Sequence, residues 1–214
     1  MVAYIIMAII AYLIGSINFS VILSKKMAGF DVREKGSGNA GTTNMLRTVG
    51  KKAAAITLVL DILKGVVSIL IAILIGKILK DLNNKDVLVQ IAGIFVILGH
   101  TFPLFFKFKG GKGIATSLGV LLVTNWQIGL ICLVFALILI ALTRMVSVGS
   151  IAAAILYPVL TVFIYQNYIV EGNHFYYIVA SIIVCLLVIF NHRTNLKRLL
   201  SGTENKLSFK ENEK

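Results

Sequence analysis

Charge is scarce in this chain, and that scarcity is the first constraint on what it can be. Asp, Glu, Lys and Arg make up 14% of the 214 residues, while 58% are hydrophobic; a soluble domain carries about a quarter charged and about 45–50% apolar residues. So little polar surface excludes a soluble fold, and apolar runs of roughly 20 residues match the hydrocarbon thickness of a bilayer. The expected fold class is an all-α membrane protein, with one membrane domain over 1–205 and a polar tail over 206–214. Cysteine is nearly missing as well. Cys132 and Cys185 both fall inside apolar runs at no spacing that fits a metal site or a disulfide, so they read as small buried hydrophobes. There is no 20–50-residue repeat and no low-complexity tract. No basic region precedes the first apolar run; Lys25 and Lys26 follow it, which makes the stretch from Met1 to Ile14 an anchor helix and not a cleaved signal.

The formal charge of +12 does not point to nucleic acid, because a nucleic-acid binder needs a basic face on a soluble fold. Here the cations sit in short segments between apolar runs at about 2–23, 53–76, 87–106, 114–142, 147–165 and 175–190. The fourth run is long enough to be one tilted helix or two shorter passes turning at Asn125, Trp126 and Gln127. Basic residues number seven in 24–52, three in 77–86, three in 107–113, one at Arg144 and six after 190. Six passes divide them evenly across the membrane. Seven passes put 17 on the side of loop 24–52 and three on the other, in keeping with the excess of Lys and Arg in cytoplasmic loops. A bundle of seven transmembrane helices is therefore expected, amino terminus outside and carboxyl terminus cytoplasmic, with the pass from 114 to about 125 a half-helix. That topology brings 24–52, 107–113 and 191–214 to one side.

Those three segments hold the unusual chemistry. The first runs from Lys35 through Gly36, Ser37, Gly38, Asn39, Gly41, Thr42, Thr43 and Asn44 to Arg47. Glycines at positive φ let successive N–H groups converge on an anion, hydroxyl and amide side chains add donors, and an Arg fork holds a phosphate by two hydrogen bonds. A flexible linker is the bland alternative, but linkers rarely mix Asn, Thr and Arg in this way. The second segment runs from Gly99 to Gly113; Gly110, Gly111, Lys112 and Gly113 lead directly into an apolar helix, where backbone donors and a helix dipole meet a phosphate. Gly113 follows Lys112 where a Walker sequence needs Ser or Thr, so no nucleotide chemistry is implied. Phe102, Phe105, Phe106 and Phe108 read as interfacial anchors, and His100 fits a structural or a functional role. The third segment, from Asn191 to Glu204, reads either as a basic stretch drawn to anionic membrane lipid or as part of a site in which His192 and Asn195, i and i+3, share a helix face. Inside the second run Asp61 and Lys64 stand at the same spacing and must pair or line a polar cavity.

With these segments in hand, the chain closely resembles the bacterial acyl-phosphate-dependent glycerol-3-phosphate acyltransferases. The signatures GSGNAGTTNMLR at 36–47, GHTFPLFFKFKGGKG at 99–113 and HRTNLKRLLSGTE at 192–204 occur in order. The resemblance implies seven helices in a bacterial plasma membrane and transfer of a fatty acyl group from acyl phosphate to the 1-hydroxyl of glycerol 3-phosphate. It gives lysophosphatidate and inorganic phosphate on the cytoplasmic face, the first step of phospholipid synthesis. It also implies that Ser37, Arg47 and Lys112 hold the glycerol 3-phosphate headgroup, that Gly110 to Gly113 cradle the acyl phosphate, and that the catalytic pair His192 and Asn195 lies beside the reacting carbonyl. Asn39, Thr43, Asn44 and Glu204 are further substrate-site members. An acyl phosphate is already activated, so positioning two anions suffices, without a covalent nucleophile, a cofactor or a metal. The general base is then a substrate phosphate oxygen, with His192 and Glu204 as the other candidates. The His-x-x-x-x-Asp pair of thioester-using glycerophosphate acyltransferases is missing: Phe105, Val179 and Lys197 stand five places after His100, His174 and His192. A transporter for an anionic phosphorylated solute is the rival reading, but transporters usually place their site near the midplane between repeats.

Overall fold

The computed structural model describes residues 1–79, 82–164 and 173–207, and among these every regular element is helical. The end of the polar tail, from 208, and most of the 166–174 connection lie outside the described residues. The α-helices are α1 (Val2–Gly15), α2 (Phe19–Ala28), α3 (Thr42–Thr48), α4 (Lys51–Ile78), α5 (Lys85–Thr101), α6 (Ile114–Thr124), α7 (Trp126–Thr143), α8 (Val146–Phe163), α9 (His174–Asn191) and α10 (Arg193–Leu200). Among the described residues six helical segments are long and apolar enough to cross a membrane: Val2–Ala28, Lys51–Ile78, Lys85–Phe106, Trp126–Thr143, Val146–Phe163 and His174–Asn191. α6 is shorter; its 11 residues rise about 16 Å, roughly half the hydrocarbon thickness. The molecule is a multi-pass integral membrane protein.

The long apolar run from 114 breaks at Asn125, the amide expected to turn it. Asn125 leaves the helical conformation and its side chain accepts a hydrogen bond from the Ile128 N–H at 3.1 Å, so it ends α6 and caps α7. The two helices fold back on each other, with Gly129 seated on the backbone of Leu121 and Leu122. The first apolar run, which reads as continuous in the sequence, is also broken. Asn18 caps α2 by accepting from the Val21 N–H at 3.2 Å. The carbonyls of Gly15 and Ile17, freed by the break, accept hydrogen bonds from Lys64 Nζ at 3.1 and 3.0 Å. Lys64 is thus a buried cation with a structural duty, and Asp61 pairs with it at 3.0 Å as the i, i+3 spacing requires.

Small residues let the helices approach, as expected where lipid supplies no hydrophobic drive between them. On α1 and α5, Cβ atoms at Gly15 and Gly99 would stand 2.2 Å from the Val96 and Tyr12 carbonyl oxygens; on α4 and α6, Cβ atoms at Gly65 and Gly119 would stand 2.4 and 2.1 Å from the Thr116 and Ile62 oxygens. The core at these crossings contains Met7, Ala11, Ile69, Leu88, Val96 and Ile97, whereas Leu58, Leu74, Leu137, Ile138 and Leu186 face outward toward lipid. The close α1–α5 and α4–α6 pairs leave the polar ends of the helices clustered, and there the three loops meet.

Candidate active site

The first loop is tied down by its own side chains. α2 ends at Gly29 with φ 74°, and Asp31 then pairs with Arg33 at 2.7 Å. Arg33 Nη1 donates to the carbonyls of Phe106 at 2.7 Å and Lys109 at 3.1 Å, stitching the first loop to the second. That guanidinium, held by the Asp31 carboxylate, has its pKa raised, and Asp31 is lowered in turn by the hydrogen bonds from Arg33. Asn44 is buried and faces inward. Its Nδ2 donates to the Val32 and Lys35 carbonyls at 2.8 and 3.0 Å, and its Oδ1 accepts from the Ser37 N–H at 2.9 Å. A Cβ on Gly36 would stand 2.3 Å from that Oδ1, so the turn carrying Ser37 and Asn39 wraps the Asn44 amide.

In the second loop two of the glycine donors are already engaged. Gly110 N–H bonds to the Thr101 carbonyl and Gly111 N–H to the His100 carbonyl, both at 3.1 Å. Gly113, at φ 90°, caps α6, whose first turn has the orphan N–H groups that attract anions. Neither Gly110 nor Gly111 has room for a side chain. A Cβ would stand 2.0 Å from the His100 carbonyl oxygen at the first, and 2.2 Å from His100 Nε2 and 2.8 Å from the Ala40 carbonyl oxygen at the second. The glycine loop therefore rests on His100 beneath and touches the first loop at Ala40.

The third segment is two helices joined at His192, which ends α9 and begins α10. Lys112 Nζ donates to Asn195 Oδ1. Asn195 Nδ2 donates to Glu204 Oε1 at 2.8 Å, Ser147 Oγ donates to the same oxygen at 3.0 Å, and Arg198 Nε donates to Oε2 at 2.9 Å. Arg47, on the exposed side of α3, interacts electrostatically with both Glu204 and Arg198. Three cations thus surround one carboxylate, and the excess positive charge suits an anion. Ser37 and Asn39 sit on the adjoining first loop, and Thr43 in the first turn of α3 that follows it.

The electrostatics assign different characters to the titratable groups. Burial, together with the Arg198 and Arg47 cations, lowers Lys112 to about 8 even though Glu204 opposes the shift. Burial and the Lys112 cation lower His192 to about 4, against the Val188 carbonyl and Glu204. His192 is therefore neutral at ordinary pH. With Nδ1 bonded to the Val188 carbonyl at 2.8 Å, the proton sits on Nδ1 and Nε2 is the acceptor. Glu204 lies below the usual carboxylate range; burial works the other way, but the hydrogen bonds from Asn195, Arg198 and Ser147 outweigh it. Two of these partners were not found from the sequence. Ser147 is a lone serine opening an apolar helix and gives no signal, whereas Arg198 stands three residues after Asn195 on α10 and the helical spacing alone would have found it.

Next to this polar cluster an open-sided cleft runs between α6, α7, α8 and α9, lined almost wholly by apolar side chains. Its lining includes Ile114, which follows Gly113 in the chain, and Val188, one turn before His192, together with Ser117, Leu121, Cys132 and Tyr157. Along α6 the lining spans about 10 Å at 1.5 Å per residue. An anion site opening into an apolar groove can hold a molecule with a phosphate at one end and a hydrocarbon chain at the other.

Comparison with known proteins agrees with this geometry. The family profile described as glycerol-3-phosphate acyltransferase matches residues 5–202. A glycerol-3-phosphate acyltransferase of Thermoanaerobacter pseudethanolicus is 47% identical over 203 residues, covering 95% of each chain; one of Clostridioides difficile is 42% identical over 214 residues, covering 97% of each. Among solved structures, the glycerol 3-phosphate form of PlsY, an integral membrane glycerol 3-phosphate acyltransferase, is similar with a TM-score of 0.83 and 35% identity, covering 96% of each chain. The lysophosphatidic acid form gives a TM-score of 0.81 and 34% identity, covering 96% of this chain and 95% of that one. Fold, loop chemistry and relatives converge: this chain belongs to the glycerol-3-phosphate acyltransferase family.

Proposed function

We propose that the protein transfers a fatty acyl group from acyl phosphate to the 1-hydroxyl of glycerol 3-phosphate, releasing lysophosphatidate and inorganic phosphate. The observation that carries this reading is the nearness of the cation cluster of Lys112, Arg47 and Arg198 to the apolar cleft, whose lining begins at Ile114, two residues after Lys112, and includes Val188, one turn before His192. A water-soluble anion and a lipid-borne anion can meet there. Ser37, Arg47 and Lys112 hold the glycerol 3-phosphate, with Asn39 and Thr43 on the same segment. Asn44 acts by shaping that loop from within. The stretch from Gly110 to Gly113 cradles the acyl phosphate; because the Gly110 and Gly111 N–H groups are engaged, the donors come from Lys112, Gly113 and the first turn of α6.

In this reading the substrate oxygen attacks the acyl carbonyl, the bond to the bridging phosphate oxygen breaks, and phosphate departs with its charge met by Lys112. Neutral His192 accepts a hydrogen bond from the attacking hydroxyl at Nε2 and orients it. A group with a pKa of about 4 is too weak a base to remove that proton by itself. Glu204 has both oxygens occupied by Ser147, Asn195 and Arg198, so it organises the cluster. A phosphate oxygen of a substrate is left as the acceptor of the proton. Holding both reactants in line can supply roughly 7–11 kcal/mol of barrier reduction in favourable cases.

The same reading takes the membrane domain over 1–205 as seven passes in a bacterial plasma membrane, with α6 as the half-length fourth. The amino terminus is outside and the three loops are cytoplasmic, supported by the distribution of Lys and Arg. Incubating the purified protein with palmitoyl phosphate and glycerol 3-phosphate tests the proposal. Lysophosphatidate and phosphate should form in equal amounts, and palmitoyl-CoA should not replace the donor. Solute accumulation in proteoliposomes without acyl transfer would instead mark a transporter.

A further inference from the structure

Beneath the glycine loop lies a buried ionisable trio that the reaction as drawn does not use. Lys64, Asp61 and His100 are 4%, 2% and 5% exposed, a burial that charged groups reach only when they satisfy one another. Lys64 ties Asp61 to the break between α1 and α2 through the Gly15 and Ile17 carbonyls. Asp61 Oδ1 also faces His100 Nδ1 at 3.5 Å, which orients the ring. The other ring nitrogen, Nε2, lies against Gly111, since a Cβ there would stand 2.2 Å from it. The main chain of the same histidine accepts the Gly111 N–H, and that of Thr101 accepts the Gly110 N–H. The adjoining chain is anchored to α1 as well: Tyr12 Oη donates to the Phe102 carbonyl at 2.7 Å, and Ser16 Oγ accepts from the Leu104 N–H at 3.2 Å.

We infer that Asp61 and His100 are positioning residues for the acyl-phosphate donor. The imidazole, held by Asp61, is the floor that sets the height of Gly110 and Gly111, and so the direction in which Lys112, Gly113 and the first turn of α6 present their donors. The inference rests on the assignment of this loop to the donor phosphate. The buried pair thereby acts more strongly on the donor than on glycerol 3-phosphate, which shares Lys112 but is otherwise assigned to Ser37 and Arg47. Two features separate this from a bundle-stabilising ion pair. His100 meets the loop through Nε2 as well as Asp61 of α4 through Nδ1, and the loop residue it meets is one where no side chain fits.

The test is steady-state kinetics of His100→Ala, Asp61→Ala and Asp61→Asn in the full chain, with each substrate varied separately and inorganic phosphate as an inhibitor competing with the donor. In both alanine variants KM for palmitoyl phosphate should rise about tenfold or more, and inhibition by phosphate should weaken in step, while KM for glycerol 3-phosphate, which shares Lys112 with the donor, rises by about threefold or less. Asp61→Asn keeps an oxygen facing the His100 Nδ1–H and should recover most of the affinity lost in Asp61→Ala. A loss of folded protein with both KM values and phosphate inhibition unchanged would reduce the trio to scaffolding and overturn the inference, as would equal increases in both KM values. If the alanine variants do not fold, His100→Gln takes their place, and an unchanged donor KM there overturns it equally. Wild-type protein that fails to use palmitoyl phosphate at all sinks the donor assignment instead, so the two failures are distinct.

Discussion

Replacing Glu204 with glutamine separates an organising carboxylate from a catalytic base. Glutamine keeps an oxygen that can accept from Ser147 and Asn195, as Glu204 Oε1 does at 3.0 and 2.8 Å. It then turns an NH₂ toward Arg198 Nε, where Oε2 accepts at 2.9 Å. One charge-assisted hydrogen bond is lost, at about 1.5–3 kcal/mol, and the single negative charge among Lys112, Arg47 and Arg198 disappears with it. Without that charge Lys112 loses the one influence raising its pKa, so the pH at which it gives up its proton moves below about 8. The expected result is a rise of about tenfold in KM for the anionic substrates at pH 8, shrinking toward pH 6.5 where the lysine is protonated again, with kcat within about fivefold of wild type. A general base behaves differently: its removal lowers kcat by about 10²–10⁴ and leaves the substrate affinities alone. Initial rates of phosphate release at four or five pH values, with each substrate titrated, distinguish the two. A fall in kcat of more than about a hundredfold at unchanged KM would refute the organising role.

Three further outcomes follow from the same geometry. In the wild type, Lys112 loses its charge as pH rises through about 8, so KM for the anionic substrates should climb above that pH, while kcat should show no limb near 6.5 because His192 stays neutral down to about 4; a limb between 6 and 7 that vanishes in His192→Ala contradicts this assignment. Gly111→Ala sets a Cβ 2.2 Å from His100 Nε2 and 2.8 Å from the Ala40 oxygen, and a loop shift of about 1 Å should lower kcat/KM by about a hundredfold, so a variant within threefold of wild type argues against a fixed loop. Ala154→Phe fills the cleft beside Leu121 and Tyr157 and should disfavour palmitoyl phosphate relative to a short-chain acyl phosphate, measured as the ratio of kcat/KM values; an unchanged ratio means that the chain lies elsewhere.

The loops were legible in the sequence because their chemistry is contiguous. A run mixing Gly, Asn, Thr and Arg stands out between apolar stretches, and the break at Asn125 could be read because an amide in an apolar run is a turn signal. The break after Gly15 was missed, although Asn18 offers the same amide. Ser16 and Asn18 barely interrupt the hydropathy of the first run, and the carbonyls they release are satisfied by Lys64 from another helix, a partnership that no local pattern contains. Asn44 shows the opposite limit. Composition marks it as a polar group of the first loop, but whether it points out to a ligand or in to the Val32 and Lys35 carbonyls is decided by the path of the turn around it. Ser147 belongs with the illegible residues, since its partner Glu204 lies 57 positions away.

The arrangement also explains why such a site belongs at a helix-end boundary and not at mid-membrane. An anion held between Lys112 and Arg47 needs cations that retain their charge, and the shift of Lys112 to about 8 shows how much burial is tolerable before the cation is lost at neutral pH. Placed deeper, beside Asp61, the same lysine would need a carboxylate of its own, as Lys64 has, and would have no charge left for a substrate. The hydrocarbon chain sets the opposite requirement, because it gains nothing from the aqueous side. A reacting carbonyl at the end of the cleft lined by Ile114 and Val188 would satisfy both: phosphates outward among partly hydrated cations, chain inward among apolar side chains. A glycine loop at that boundary can be fixed from below, where water cannot do it, and the buried Asp61 and His100 are among the polar groups at that level, with Ser16 and Thr101.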